Sequence, residues 1–122
     1  MPPKGPKRLD EIADVELDGV GKFKYIQILV KDKVRGDSKL VIRGYAHCAY
    51  HADILDEVKS SSPSGFTFTC PGGGRIDLSH EDKTIFIFGY SQAYGQPDHR
   101  KSVDIVKKYY PDYEVTYSNE GY

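Results

Sequence analysis

Apolar and polar residues follow two different periods along this chain, and the changes between them mark its elements. Residues 23–30, FKYIQILV, are rich in aromatic and β-branched side chains and predict a first strand. Strand geometry sends successive side chains to opposite faces. Phe23, Tyr25, Gln27 and Leu29 therefore share one face, and Lys24, Ile26, Ile28 and Val30 the other. Lys24 is the one charge on its face, where a lysine can snorkel from the sheet margin. Residues 40–47 predict a second strand, with Arg43 and Tyr45 on one face and Ile42 on the other. The polar stretch 31–39 between them carries Arg35-Gly36-Asp37-Ser38, read as turn chemistry. Its Arg-Gly-Asp string, an adhesion motif when displayed outside cells, is taken as a plain hairpin turn.

The period changes near residue 50. His51, Ile54, Leu55 and Val58 follow the i, i+3, i+4, i+7 spacing of one helical face, which predicts a helix over about 51–60. His51 then sits in the first turn, on the side of the apolar stripe. First-turn N–H groups lack intrahelical partners, and with the macrodipole they favour an anion and disfavour a protonated imidazole. Such a histidine is either a neutral base or nucleophile beside a phosphate, or a space-filling residue bonded to backbone. Asp53, Asp56 and Glu57 read as charges that stabilise the helix start.

Residues 60–65, SSSPSG, end this helix. Phe and Thr alternate over 66–70, Pro71 and three glycines interrupt, and a strand resumes at 75–78. The glycines suggest a bulge or a close backbone approach. A bulge would re-aim Arg75 into a cleft; a simple kink is the alternative. Residues 84–90, TIFIFGY, are nearly continuously apolar and suit a central strand covered on both faces. They run into SQAYGQP at 91–97, a loop of the kind that carries binding chemistry. A second helix starts near Asp98 or His99 and is stopped by Pro111, with Val103, Val106 and Tyr110 as its core face and His99 without a role. Residues 113–117 alternate as a last strand. Six strand pieces and two separated helices predict a single α+β domain, a mixed six-stranded sheet with two helices.

Composition adds exclusions. A chain of 122 residues suits one domain, taken as 9–122 behind a flexible tail at 1–8, MPPKGPKR. A net charge of −1 gives no nucleic-acid surface and no polybasic membrane anchor, and no run of 18 apolar residues exists. The opening lacks a signal-peptide core, so the expectation is a cytoplasmic chain, a monomer, with Cys48 and Cys70 as reduced thiols. Cys70 and Arg75 are separated by four residues, where the cysteine-phosphatase loop needs five. His47 and His51 have zinc-like i, i+4 spacing, yet His47 belongs to a strand pattern, so the two need not converge.

Four ordered segments carry a resemblance. Tyr50-His51-Ala52-Asp53-Ile54, Gly72-Gly73-Gly74-Arg75-Ile76, 89–95 (GYSQAYG) and 110–115 (YPDYEV) resemble the phosphohistidine phosphatase family, which includes the Janus and Ocnus proteins. The resemblance spans about 19–122. It implies hydrolysis of the P–N bond of phosphohistidine in proteins, extending to phospholysine; because the sequence shows no metal-ligand motif, the expectation is a metal-independent enzyme with no cofactor. His51 would be catalytic, as general base or as phosphoryl-carrying nucleophile. Lys24, the Ser91 hydroxyl and the N–H groups of Gln92 and Ala93 would bind the phosphoryl group, with Arg75 or Arg43 adding charge. The rival implication is a phosphohistidine-binding or regulatory protein without catalysis. Gln92 stands where the family pattern leads one to expect Met, and Tyr117 where one expects Trp.

Overall fold

The computed structural model describes residues 8–119. After a 3-10 turn at Arg8–Glu11 come β1 (Val15–Asp18), β2 (Gly21–Asp32), β3 (Ser38–Tyr45), α1 (His51–Ser61), β4 (Phe66–Ser79), β5 (Thr84–Phe88), α2 (His99–Tyr109) and β6 (Glu114–Tyr117). The tail expected at 1–8 lies outside the described residues except for Arg8, which opens the 3-10 turn.

One sheet runs in the order β1-β3-β2-β4-β5-β6. Its inner pairs are antiparallel, while β1 on β3 and β6 on β5 are parallel. This is the expected single α+β domain with a mixed sheet of six strands. The β2–β3 connection is the tight turn read from Arg35-Gly36-Asp37. Asp32 Oδ1 accepts from the Val34 and Arg35 N–H groups at 2.9 and 3.2 Å, and Gly36 takes φ 82°.

The alternation in β2 separates two cores. Ile26, Ile28 and Val30 join Val41, Phe66, Ile54, Leu55 and Val58 beneath α1. Phe23 and Tyr25 join Ile42, Ile76, Ile85, Ile87, Val103 and Val106 beneath α2, on the opposite face. Fully burying an aliphatic side chain such as Ile26 or Ile54 is worth roughly 1.5–3 kcal/mol. The apolar stripe of α1 thus holds the helix, and His51 with it, against β2 and β4. No helix among the described residues is long and apolar enough to cross a membrane.

Two expectations change, and one strand, β1, was not read from the sequence. The glycines do not split a strand: β4 is continuous over 14 residues, and Gly72, Gly73 and Gly74 pair in register with Gln27, Ile26 and Tyr25. The irregularity lies beside them, where Ile28 faces Cys70 and Pro71, because proline cannot donate to a ladder. Nor is β5 covered on both faces. Ile85 and Ile87 are buried by α2, while Phe86 is 38% exposed and stacks on Phe88 at a centroid distance of 5.1 Å. Finally, β1 is too short to show a period, and its apolar Val15 and Leu17 gain meaning only from pairing with β3.

Candidate functional site

The first turn of α1 builds one wall. Tyr50 precedes the helix in extended backbone, and Asp53 folds back so that its carboxylate accepts from the Tyr50 N–H at 3.1 Å. Asp53 therefore starts the helix, as its position in the first turn suggested. His51 follows and is 9% exposed. Its Nε2 lies 2.9 Å from the Gly74 carbonyl oxygen. A carbonyl only accepts, so Nε2 carries the hydrogen and the lone pair of the neutral ring is on Nδ1. The ring lies so close to β4 that a Cβ on Gly73 would stand 2.8 Å from His51 Cδ2 and 2.7 Å from the Tyr25 carbonyl oxygen. Glycine there is the condition for the histidine's approach. Burial holds the His51 pKa below its ordinary value, and Lys24 and Arg75 push the same way against the Gly74 hydrogen bond.

The exit of β5 builds the opposite wall. Gly89 turns the chain at φ 82°, and Ser91 and Gly95 exchange backbone hydrogen bonds of 3.1 and 2.8 Å. Ser91, 1% exposed, accepts from the Tyr94 N–H at 3.1 Å through Oγ, which leaves its own hydroxyl hydrogen for another acceptor. The N–H groups of Gln92 and Ala93, at the tip, have no partner among the described residues.

The sheet supplies the floor and the charge. Lys24 and Arg75 are direct partners across β2 and β4, so their side chains leave the same face side by side. Like charges placed opposite one another destabilise a strand pair, and an anion between them reverses that penalty. A cavity of about 430 Å³ joins Lys24, Tyr50, His51, Arg75, Ser91, Gln92 and Ala93. Among the described residues, none that lines it carries a carboxyl group. A larger hollow of about 590 Å³ lies elsewhere, between the first turn of the chain and α2. It carries neither histidine nor thiol, and its Lys39 is already paired with Asp14 at 2.8 Å.

Most of the residues read from sequence thus meet: His51, Lys24, Arg75, Ser91, Gln92 and Ala93. Arg43 does not. It is 5% exposed, with its guanidinium donating to the carbonyls of Ile42 and Ala13 at 2.9 and 2.8 Å, so it braces the segment between the 3-10 turn and β1 against β3. Arg75 reaches the pocket by ordinary strand alternation, without the bulge. Tyr50 and Tyr90 also line it. Their only sequence signal is adjacency to His51 and Ser91. The Cys70 thiol donates to the Gly72 carbonyl and is pushed up to about 11 by burial, which suits no nucleophile. His47 pairs with Glu57 at 2.6 Å, while His51 is bonded to Gly74, so the two histidines do not converge.

His99 proves to be more than a bystander. It is fully buried, accepting at Nδ1 from the Tyr25 hydroxyl at 2.5 Å and donating from Nε2 to the Gly89 carbonyl at 2.7 Å. It thereby ties α2 to the start of the Ser91 loop. His99→Ala should remove both hydrogen bonds and leave a cavity, costing about 2–5 kcal/mol, although Tyr25 keeps its bond to Ser102 and Gly89 its bond from Gln96. The melting temperature should fall by roughly 10 °C. A thermal melt identical to wild type would show the network to be dispensable.

The sequence model of the Janus/Ocnus family matches residues 9–114. Among curated relatives, a human protein named "14 kDa phosphohistidine phosphatase" is 44% identical over 91% of this chain and 94% of its own length. A pig protein of the same name is 42% identical over 93% and 95%. The "Sex-regulated protein janus-A" of Drosophila melanogaster is 41% identical over 98% and 94%. Matched by that family model over residues 9–114 and by relatives 41–44% identical along nearly all its length, the chain belongs to the Janus/Ocnus family.

Proposed function

We propose that this chain is a metal-independent protein phosphohistidine phosphatase, acting as a monomer without a cofactor. One observation carries the reading. The Gly74 carbonyl fixes the His51 tautomer, so that a neutral ring presents Nδ1 as a base. In the reaction, the phosphoryl group of the substrate lies between Lys24, Arg75, the Ser91 hydroxyl and the Gln92 and Ala93 N–H groups. His51 Nδ1 takes a proton from water as the water oxygen bonds to phosphorus. The P–N bond breaks with its electron pair remaining on the substrate imidazole. When that ring is protonated on its other nitrogen it leaves as neutral imidazole, and His51 returns its proton to solvent. Charge stabilisation and positioning then suffice.

Among the described residues the lining holds no carboxyl group to serve as general acid, which suits a leaving group that departs without one, an imidazole rather than a serine alkoxide. Tyr50 and Tyr90, 70% and 41% exposed, flank the entrance as flat surfaces suited to a histidine ring. Phe86 and Phe88 follow from Arg75 along the uncovered sheet face, as a protein-sized substrate would require. The names of the human and pig relatives agree with this reading. The janus-A relative's name states no activity, and the second reading is a phosphohistidine-binding protein without turnover.

The experiment offers the protein one phosphohistidine protein and one phosphoserine peptide, before and after exhaustive chelation. Phosphate should be released from the first alone, at the same rate with chelator. Loss of release on chelation, restored by zinc or magnesium, would refute the metal-free mechanism.

A further inference from the structure

The turn that leads into α1 and the second turn of that helix together hold three metal-ligating side chains which the phosphatase chemistry does not use. His47, Cys48 and Glu57 each place one ligand atom so that all three lie within 4.8 Å of one another. They come from two elements: His47 and Cys48 from the turn after β3, and Glu57 from the second turn of α1. His47 Nε2 and Glu57 Oε1 are 2.6 Å apart, sharing a hydrogen. The imidazole is held in place by stacking on Tyr45, at a centroid distance of 5.3 Å and an interplanar angle of 11°. Tyr45 is fixed in turn by donating to Glu16 at 2.6 Å.

We infer that His47, Cys48 and Glu57 form a zinc site, separate from the phosphate pocket, with water as the fourth ligand. The donor set is one thiolate, one imidazole and one carboxylate, a combination suited to borderline-soft Zn²⁺ and unsuited to Mg²⁺ or Ca²⁺. Zinc bonds of about 2.0–2.3 Å to N, O and S place tetrahedral ligand atoms between the 2.6 Å contact and the 4.8 Å limit found here. Side-chain rotation therefore completes the site without moving β3 or α1. On binding, the ion replaces the hydrogen shared by His47 and Glu57, and the Cys48 thiol proton passes to solvent. No oxidation state changes. His47 and Glu57 are solvent-exposed and Cys48 partly so, which gives the ion an open path. The bound ion would clamp the 46–50 turn to α1 just ahead of His51. The phosphatase reaction stays independent of it, because none of the three residues lines the phosphate pocket.

The test is titration of the untagged full-length chain with Co²⁺ and then Zn²⁺. The wild type should take up one Co²⁺ per chain, with a near-ultraviolet thiolate-to-cobalt charge-transfer band that one equivalent of Zn²⁺ abolishes. Cys48→Ser should lose the band, and His47→Ala and Glu57→Gln should each weaken binding by at least about tenfold, the lower end of what even supporting residues contribute. Cys70→Ser should leave the band intact. All four positions are partly or fully exposed to solvent, and circular dichroism of each variant checks that it is folded. Absence of a saturable band in the wild type, or a band that survives Cys48→Ser, would overturn the site. So would binding unaffected by both His47→Ala and Glu57→Gln. Phosphate release is unaffected by any of these outcomes, so the zinc site and the phosphatase reading stand or fall separately.

Discussion

Replacing His51 with alanine is expected to lower kcat by about 10²–10⁴, the usual loss when a positioned acid–base group is removed. The chain should remain folded. Alanine is the best helix former for the first turn, and Ile54, Leu55 and Val58 keep α1 on the sheet. The structural cost is the Gly74 carbonyl, left without its donor, at about 1–3 kcal/mol. His51→Asn isolates the chemistry further, because a side-chain amide can donate to that carbonyl without providing a base. The pH profile has a defined sign. Burial, Lys24 and Arg75 all lower the His51 pKa from 6.5, so the acidic limb of kcat/KM should fall below that value, with full activity at neutral pH. The same shift makes the neutral ring part of the folded state. Its contribution to stability is complete above the unfolded-state pKa and is lost as pH falls toward the depressed folded one. His80 is the appropriate control: it is exposed, bonds Tyr113 and lies outside the pocket. His80→Ala should keep wild-type turnover. Near-normal turnover in a folded His51→Ala protein would falsify the catalytic assignment.

Neutralising Lys24 or Arg75 should lower kcat/KM by about tenfold to a hundredfold each, equivalent to roughly 1.5–3 kcal/mol for a charge-assisted hydrogen bond to phosphate. The two sit directly opposite each other in the β2–β4 ladder. Lys24→Met removes a like-charge pair, so it should raise stability slightly, by about 0.2–1 kcal/mol, while activity falls. A purely structural lysine predicts the reverse. The split between kcat and KM reports which state each charge serves. A rise in KM alone means that ground state and transition state are held equally, and a matching fall in kcat means that the charge acts on the developing transition state. Free phosphate should inhibit both variants less well than wild type. If Arg75→Gln melts far below wild type with unchanged phosphate inhibition, Arg75 is a structural residue and Lys24 alone is the clamp.

Much of this site was legible because it depends on periodicity. The helical spacing placed His51 in the first turn, and the strand alternation put Lys24 on the face that α1 covers. What escaped depended on partners distant in sequence. The Gly74 carbonyl that sets the His51 tautomer is 23 residues away. The Tyr25–His99 contact spans 74 residues. Arg43 resembled Lys24 as a cation in a strand, but its direction was decided by the carbonyls of Ile42 and Ala13. The glycine run shows how a correct physical reason can lead to a wrong shape. Close approach was indeed the cause, from His51, Pro97 and His99 packing onto the strand from its two faces; the strand is not split there, and the register shift falls just ahead of the glycines, at Cys70 and Pro71.

Turnover by the wild-type protein is the most direct measurement of the central claim. A phosphohistidine protein in large excess, free of metal, is mixed with the chain, and released phosphate is counted against the number of chains. An enzyme with His51 as its base releases many phosphates per chain, and His51→Ala under the same conditions releases them at least about a hundredfold more slowly. Tight binding of the substrate with no phosphate released beyond the spontaneous rate would contradict that claim and leave a phosphohistidine-binding protein.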